Sequence, residues 1–240
     1  MPTFRQGDVE IHYEERGSGF PLLLIAPGGM RSAVSLWDNA PWNPLDELAD
    51  EFRVIAMDQR NAGASRGPVS ADDGWHTYTR DQLALLDHLG VERFHTAGMC
   101  IGGPYCMGLI EAAPQRVTSA VLFQPIGAQD NRELFYDMFD VWAKPLQAER
   151  QDVRAEALES LKHNLFDGDF LFNVDRDFVR RCTTPLLVLC GADAYHPAET
   201  SREIAELAPN ARLIESWKEG RDRDAARQAV REFLRANTPA

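Results

Sequence analysis

Phe94-His95-Thr96-Ala97-Gly98-Met99-Cys100-Ile101-Gly102-Gly103 is the stretch that decides how this chain is read. Residues 94–99 suit a short buried strand, and the glycines after them open a helix. Cys100 stands at the apex, with Gly98 two residues before it and Gly102 two after it. A strand that turns sharply into a helix leaves no room for side chains beside the apex, so those positions must be glycine. The apex side chain is pushed out at the strand's carboxyl end, beside the first free N–H groups of the helix. This is the G-x-S-x-G spacing of a nucleophile elbow with cysteine in the serine position. Taken alone, five residues favour a plainer reading, a glycine-rich turn around a core cysteine, so the rest of the chain must decide.

Outward from that turn, short apolar runs alternate with helical patterns. Residues 21–26 (Pro-Leu-Leu-Leu-Ile-Ala), 53–57, 117–123, 185–189 and 211–214 read as buried strands. Val9, Ile11 and Tyr13 alternate with Glu10, His12 and Glu14, which predicts a half-buried antiparallel edge strand with His12 on its polar face. Helices are expected over about 42–51, 79–89, 101–113, 198–207 and 222–235. Residues 127–180 change character: they are charged, with interspersed aromatics and no strong strand signal. They read as a small helical insertion into a core domain formed by residues 1–126 and 181–240. The alternation predicts an α/β fold, a doubly wound and mostly parallel sheet covered on both faces. Such sheets bind ligands at the carboxyl ends of their strands. Four loops gather there: Gly28-Gly29-Met30, residues 58–65, the Cys100 turn and residues 191–197.

Composition narrows the function. A chain of 240 residues can bury a full core as one domain. Its net charge of −12 repels nucleic acid, and no basic run opposes this. The four cysteines, Cys100, Cys106, Cys182 and Cys190, lie in or beside apolar segments without a Cys-x-x-Cys pair. That argues against zinc and for thiols in a reducing compartment. With no signal core and no apolar run that could span a bilayer, a cytoplasmic protein that uses no membrane is expected. No dinucleotide fingerprint or phosphate loop occurs, so no cofactor or metal is implied. The oligomeric state is open, a homodimer being one option.

The ordered set of motifs resembles the α/β-hydrolase fold superfamily over nearly the whole chain. The strand leading to Gly28-Gly29 is one part. Asp58-Gln-Arg60-Asn61-Ala-Gly63-Ala-Ser65 is similar to that family's D-x-R-G-x-G-x-S, with Asn61 where glycine is usual. Gly98-Met-Cys100-Ile-Gly102 and a later strand ending in Gly191-Ala-Asp193 complete it. The resemblance implies that Cys100 is the nucleophile, as in dienelactone hydrolases, and that Asp193 is the triad acid. It further implies an oxyanion hole from the Ile101 amide and that of Gly29 or Met30, a cap at 127–180, and a small ester, thioester or lactone as substrate.

One departure matters. The family's catalytic histidine follows the last strand, but this chain has no histidine after His196. The loop in that place is Glu215-Ser-Trp217-Lys-Glu-Gly-Arg221. His196 and His76 are the leading replacements, nearly equal in rank. His163 could reach down from the cap, and His95 reads as a packed core residue. Two other accounts stand beside hydrolysis: an acyltransferase whose thiolate works without an imidazole, and a catalytically silent ligand-binding protein.

Overall fold

Successive side chains of the central strands enter opposite layers, and this alternation explains why the strands read as unbroken apolar runs. A computed structural model describes residues 2–239 of the chain. Its strands are β1 (Thr3–Gln6), β2 (Val9–Arg16), β3 (Phe20–Ile25), β4 (Phe52–Met57), β5 (Phe94–Met99), β6 (Val117–Phe123), β7 (Leu186–Leu189) and β8 (Ala211–Ile214). They form one eight-stranded sheet in the order β1-β2-β4-β3-β5-β6-β7-β8. Strand β2 is antiparallel to β1 and β4, and the neighbours from β4 to β8 are parallel.

On β3, Leu23 and Ile25 join one core while Leu22 and Leu24 join the other. The first core is covered by α2 (Trp75–His88), α3 (Gly102–Ala112) and α7 (Ala198–Leu207), through residues such as Leu85, Leu109 and Ile204. The second is covered by α1 (Pro44–Glu47) and α8 (Gly220–Ala236), through Leu45, Val230 and Leu234. Between β6 and β7 the chain forms α4 (Arg132–Glu149), α5 (Ala155–Phe166) and α6 (Arg176–Arg181). Among the described residues, no helix is long and apolar enough to cross a membrane.

Three expectations need correction. Strand β2 is not an edge, because β1 pairs outside it. His12 is buried rather than exposed, with Nδ1 3.0 Å from Asp58 Oδ2. The alternation of β2 reports polarity, and a polar residue under a covering loop is as buried as an apolar one. Third, most of the expected 42–51 helix is absent. Asn43 caps α1 by accepting the Leu45 N–H at 3.0 Å, and the chain then turns by hydrogen bonds from Glu51 and Phe52 to the Leu48 carbonyl.

The Asp58 motif holds loops together. Asp58 accepts N–H groups from Val34 at 2.7 Å and Ala64 at 2.8 Å. A Cβ on Gly63 (φ +53°) would lie 2.2 Å from Asp58 Oδ2, so this position must be glycine. Asn61 adopts φ 61°, which Asn tolerates better than most non-glycine residues. Arg60 forms a buried bidentate pair with Asp81 on α2, both contacts 2.7 Å. The motif therefore fixes the β4 exit against α2.

Candidate active site

The Cys100 turn is built by close approach of backbones. A Cβ on Gly98 would meet the Gly102 carbonyl oxygen at 2.2 Å, and one on Gly102 would meet that of Ile25 at 2.6 Å. Cys100 itself takes φ 61°, a left-handed conformation unusual for a side chain of this type. Three hydrogen bonds hold it there. Its N–H donates to Phe123 C=O at 3.0 Å, and its own C=O accepts from Gly103 N–H at 3.0 Å and Ile126 N–H at 3.3 Å. The thiol is half-buried, whereas Cys106, Cys182 and Cys190 are buried.

On β7's side of the sheet, a single tight turn carries both other polar groups. His196 Nδ1 lies 2.7 Å and 2.9 Å from the two Asp193 carboxylate oxygens. Asp193 Oδ1 also accepts the Tyr195 and His196 N–H groups, each at 3.0 Å. A Cβ on Gly191 would lie 2.2 Å from the His196 carbonyl oxygen, so the turn closes only over a glycine. With Nδ1 donating to Asp193, Nε2 is the free face of the ring. That atom is buried with no hydrogen-bond partner, in a ring whose charge responds to burial, Cys100 and Asp193.

The charges are mutually supporting. Burial pushes the Cys100 thiol up, but the neighbouring His196 side chain, with backbone N–H groups of Gly28 and Ile101, brings it below its ordinary value. Burial pushes the His196 imidazole down, and Cys100 and then Asp193 raise it above its ordinary value. Asp193 is held below the usual carboxylate range, because His196 and the turn's amides outweigh burial. Each shift moves the pair toward a thiolate beside an imidazolium.

The Gly28 amide was not expected here: the sequence pointed to Gly29 and Met30. Those two form a 3-10 turn, Gly29–Arg31, directly after Gly28 (φ 110°), and both are buried. Consecutive left-handed glycines curve the backbone into a concavity of N–H groups, a feature the Gly-Gly pair could have signalled.

The remaining histidines lie elsewhere. His76 is exposed on the first turn of α2, its Nε2 3.5 Å from Thr77 Oγ1. It lines a groove of about 950 Å³ beside α2 and α3 whose lining includes neither Cys100 nor His196. His163 is paired on α5 with Glu159 and Asp167, each at 3.1 Å. His95 is fully buried within 2.8 Å of Thr118 and Ser119 hydroxyls, and burial lowers it to about 4. In the loop after β8, Trp217 occupies the interior. Its indole N–H donates to Cys190 C=O at 2.8 Å, and its ring packs on Phe123 at 5.7 Å.

Residues 21–184 match the family described as the alpha/beta hydrolase fold. The chain belongs to the α/β-hydrolase family. A member from Azorhizobium caulinodans, provisionally named a carbamate hydrolase (RutD), is 37% identical over 125 residues, 51% of this chain and 43% of that protein. A second, from Mycobacterium tuberculosis and provisionally named a non-heme bromoperoxidase (BpoC), is 25% identical, spanning 86% of this chain and 88% of its own. Among solved structures, a hydrolase from Pseudomonas aeruginosa PA01 superposes with a TM-score of 0.74 at 23% identity, covering 97% of both chains. The last likeness speaks for the fold.

Proposed function

We propose that this α/β hydrolase cleaves an ester, thioester or lactone of a small molecule, with Cys100 as nucleophile, His196 as acid and base, and Asp193 orienting the imidazole. The observation that carries this reading is the turn that pairs the Asp193 carboxylate with His196 Nδ1 and leaves the buried Nε2 without a partner in a ring that Cys100 influences. Support also comes from the amides that surround the sulfur and from relatives named as hydrolases.

In the reaction, the Cys100 thiolate adds to the substrate carbonyl carbon. The carbonyl electrons move to oxygen, where the Ile101 amide and the amides of the 28–30 turn stabilise the oxyanion. Collapse expels the alkoxide or thiolate leaving group, which takes the His196 proton. The neutral imidazole then removes a proton from water as its oxygen attacks the thioester. A second collapse releases the acid and returns the thiolate–imidazolium pair. Asp193 keeps Nε2 aimed at the sulfur throughout, the role of an orienting carboxylate in a triad.

Turnover of a p-nitrophenyl ester and thioester panel tests the proposal. Cys100→Ala and His196→Ala should each lower kcat/KM on the order of 10³-fold or more while leaving thermal stability near that of the parent. Unchanged turnover in Cys100→Ala would overturn it. A stable acyl–Cys100 adduct discharged by an added alcohol or thiol would replace hydrolysis with acyl transfer. Saturable ester binding without turnover or adduct would leave only a ligand-binding role.

A further inference from the structure

Helix α4 lies across both halves of the site. Near its start, Asn131 Nδ2 donates to Ala194 C=O at 2.8 Å, on the turn that carries Asp193 and His196. Phe135 packs on Tyr195 with ring centroids 5.7 Å apart. Further along, Arg31 of the Gly29–Arg31 turn donates to Val141 C=O at 2.8 Å, and Trp142 Nε1 donates to Asn61 C=O at 3.2 Å. The helix is thus fastened at one end to the base-bearing turn and at the other to the turn beside the Cys100 sulfur. Positions 135, 138, 139 and 142 fall on one helical face. Phe135, Phe139 and Trp142 are buried, while Met138 is only half-buried.

Met138 is singled out by its distance from Gly29. A Cβ built on Gly29 would lie 2.3 Å from Met138 Sδ and 3.0 Å from its Cε. The thioether therefore occupies the space a side chain at Gly29 would fill, against the turn whose preceding amide reaches the sulfur. The inward face around it is apolar, so it offers no partner for a charge on the substrate's acyl part, and burying such a charge would be costly. Methionine is unbranched and flexible, and can move aside at low cost.

Building on the hydrolase reading, we infer that Met138 sets the size of the acyl pocket and that the substrate presents an uncharged, apolar acyl group to it. The side chain acts as a wall for short acyl chains and must swing away for longer ones. Truncating it opens the space beside the oxyanion turn, and enlarging it closes that space.

Two measurements on Met138→Ala and Met138→Phe test this. In the first, kcat/KM is measured for p-nitrophenyl acetate, butyrate, hexanoate and octanoate. The octanoate-to-acetate ratio should rise about tenfold in Met138→Ala and fall in Met138→Phe, since a methylene or two in an apolar pocket is worth roughly that factor. The second needs no turnover: alkylation of Cys100 by iodoacetamide and by the bulkier N-phenylmaleimide at one pH. Met138→Ala should speed the maleimide about tenfold more than iodoacetamide. A flat chain-length ratio together with an unchanged reagent ratio, in variants that melt like the parent, would overturn the inference. If the ester panel is inert in every protein, the alkylation ratio still decides the role of Met138, and only the hydrolase reading fails.

Discussion

At the scale of single residues, Cys100, His196 and Asp193 change each other's charge. Cys100 lies below the ordinary thiol value and His196 above the ordinary imidazole value. The signs follow from linkage. For His196, a raised folded value means that the stabilisation is complete below the ordinary imidazole value and is lost as pH rises through the folded one. For Cys100, a lowered value means stabilisation that is present above the ordinary thiol value and is lost as pH falls through the folded one. Both shifts favour the charged forms relative to the isolated groups. The rate of iodoacetamide alkylation against pH should show Cys100 reacting as a thiolate below the ordinary thiol value of about 8.5. Asp193→Asn should move that profile to higher pH, because it removes the carboxylate that favours a charged His196. A shift of one unit lowers the rate about tenfold on the acid side. An Asp193→Asn profile that overlays the parent would show that the carboxylate does not govern the pair.

At the scale of elements, the elbow depends on glycine for a steric reason that can be measured. Gly98→Ala would place a methyl 2.2 Å from a backbone oxygen in the next element, where neither strand nor helix can yield. It should cost about 1–3 kcal/mol as overpacking, and more if β5 shifts. Gly90→Ala is the comparison: Gly90 has φ +67° but nothing within 4 Å of an added Cβ. It should cost only the left-handed penalty of about 1–2 kcal/mol. Urea denaturation midpoints separate the two, and equal costs would mean that the elbow tolerates a side chain.

The same scale shows why the motifs were legible in the chain while some boundaries were not. β6 (Val117–Phe123), α7 (Ala198–Leu207) and β8 (Ala211–Ile214) match their expected spans because apolar periodicity and local stop signals agree there. Helix α2 starts at Trp75, four residues before its expected start, since the Gly74 N–H bonds to Thr77 Oγ1 at 3.2 Å. Edge strand β1 is only four residues long, with little apolar signal. His12 was misjudged because its partner Asp58 is 46 residues away, and no local pattern reports a covering loop.

At the scale of the whole molecule, the missing C-terminal histidine gains a structural context. Its loop is occupied by Trp217, 2% exposed and fastened to Cys190 and Phe123. The only histidine coupled to the Cys100 sulfur among the described residues instead shares a turn with Asp193, three residues apart. Trp217→His introduced into His196→Ala should therefore not restore turnover of the ester panel. It should also lower unfolding stability by about 3 kcal/mol, because it removes most of a fully packed indole. Recovery of kcat/KM in the double variant would show instead that the β8–α8 loop can still serve as the source of the base.

The sequence by itself determined the alternation of strands and helices, the cysteine at a glycine-bracketed turn, and the absence of a histidine in the final loop. These are local properties: periodicity, steric demand at one turn, and residue identity. Only the tertiary structure brings the His196 ring under the influence of Cys100 and leaves His76, ranked nearly equal from the sequence, exposed on α2. It brought Gly28 to the sulfur and laid Met138 over Gly29. Those outcomes depend on where parallel strands β3, β5 and β7 end relative to one another and on how α4 crosses them. Such distances are set by packing between segments far apart in the chain, and no spacing along it records them.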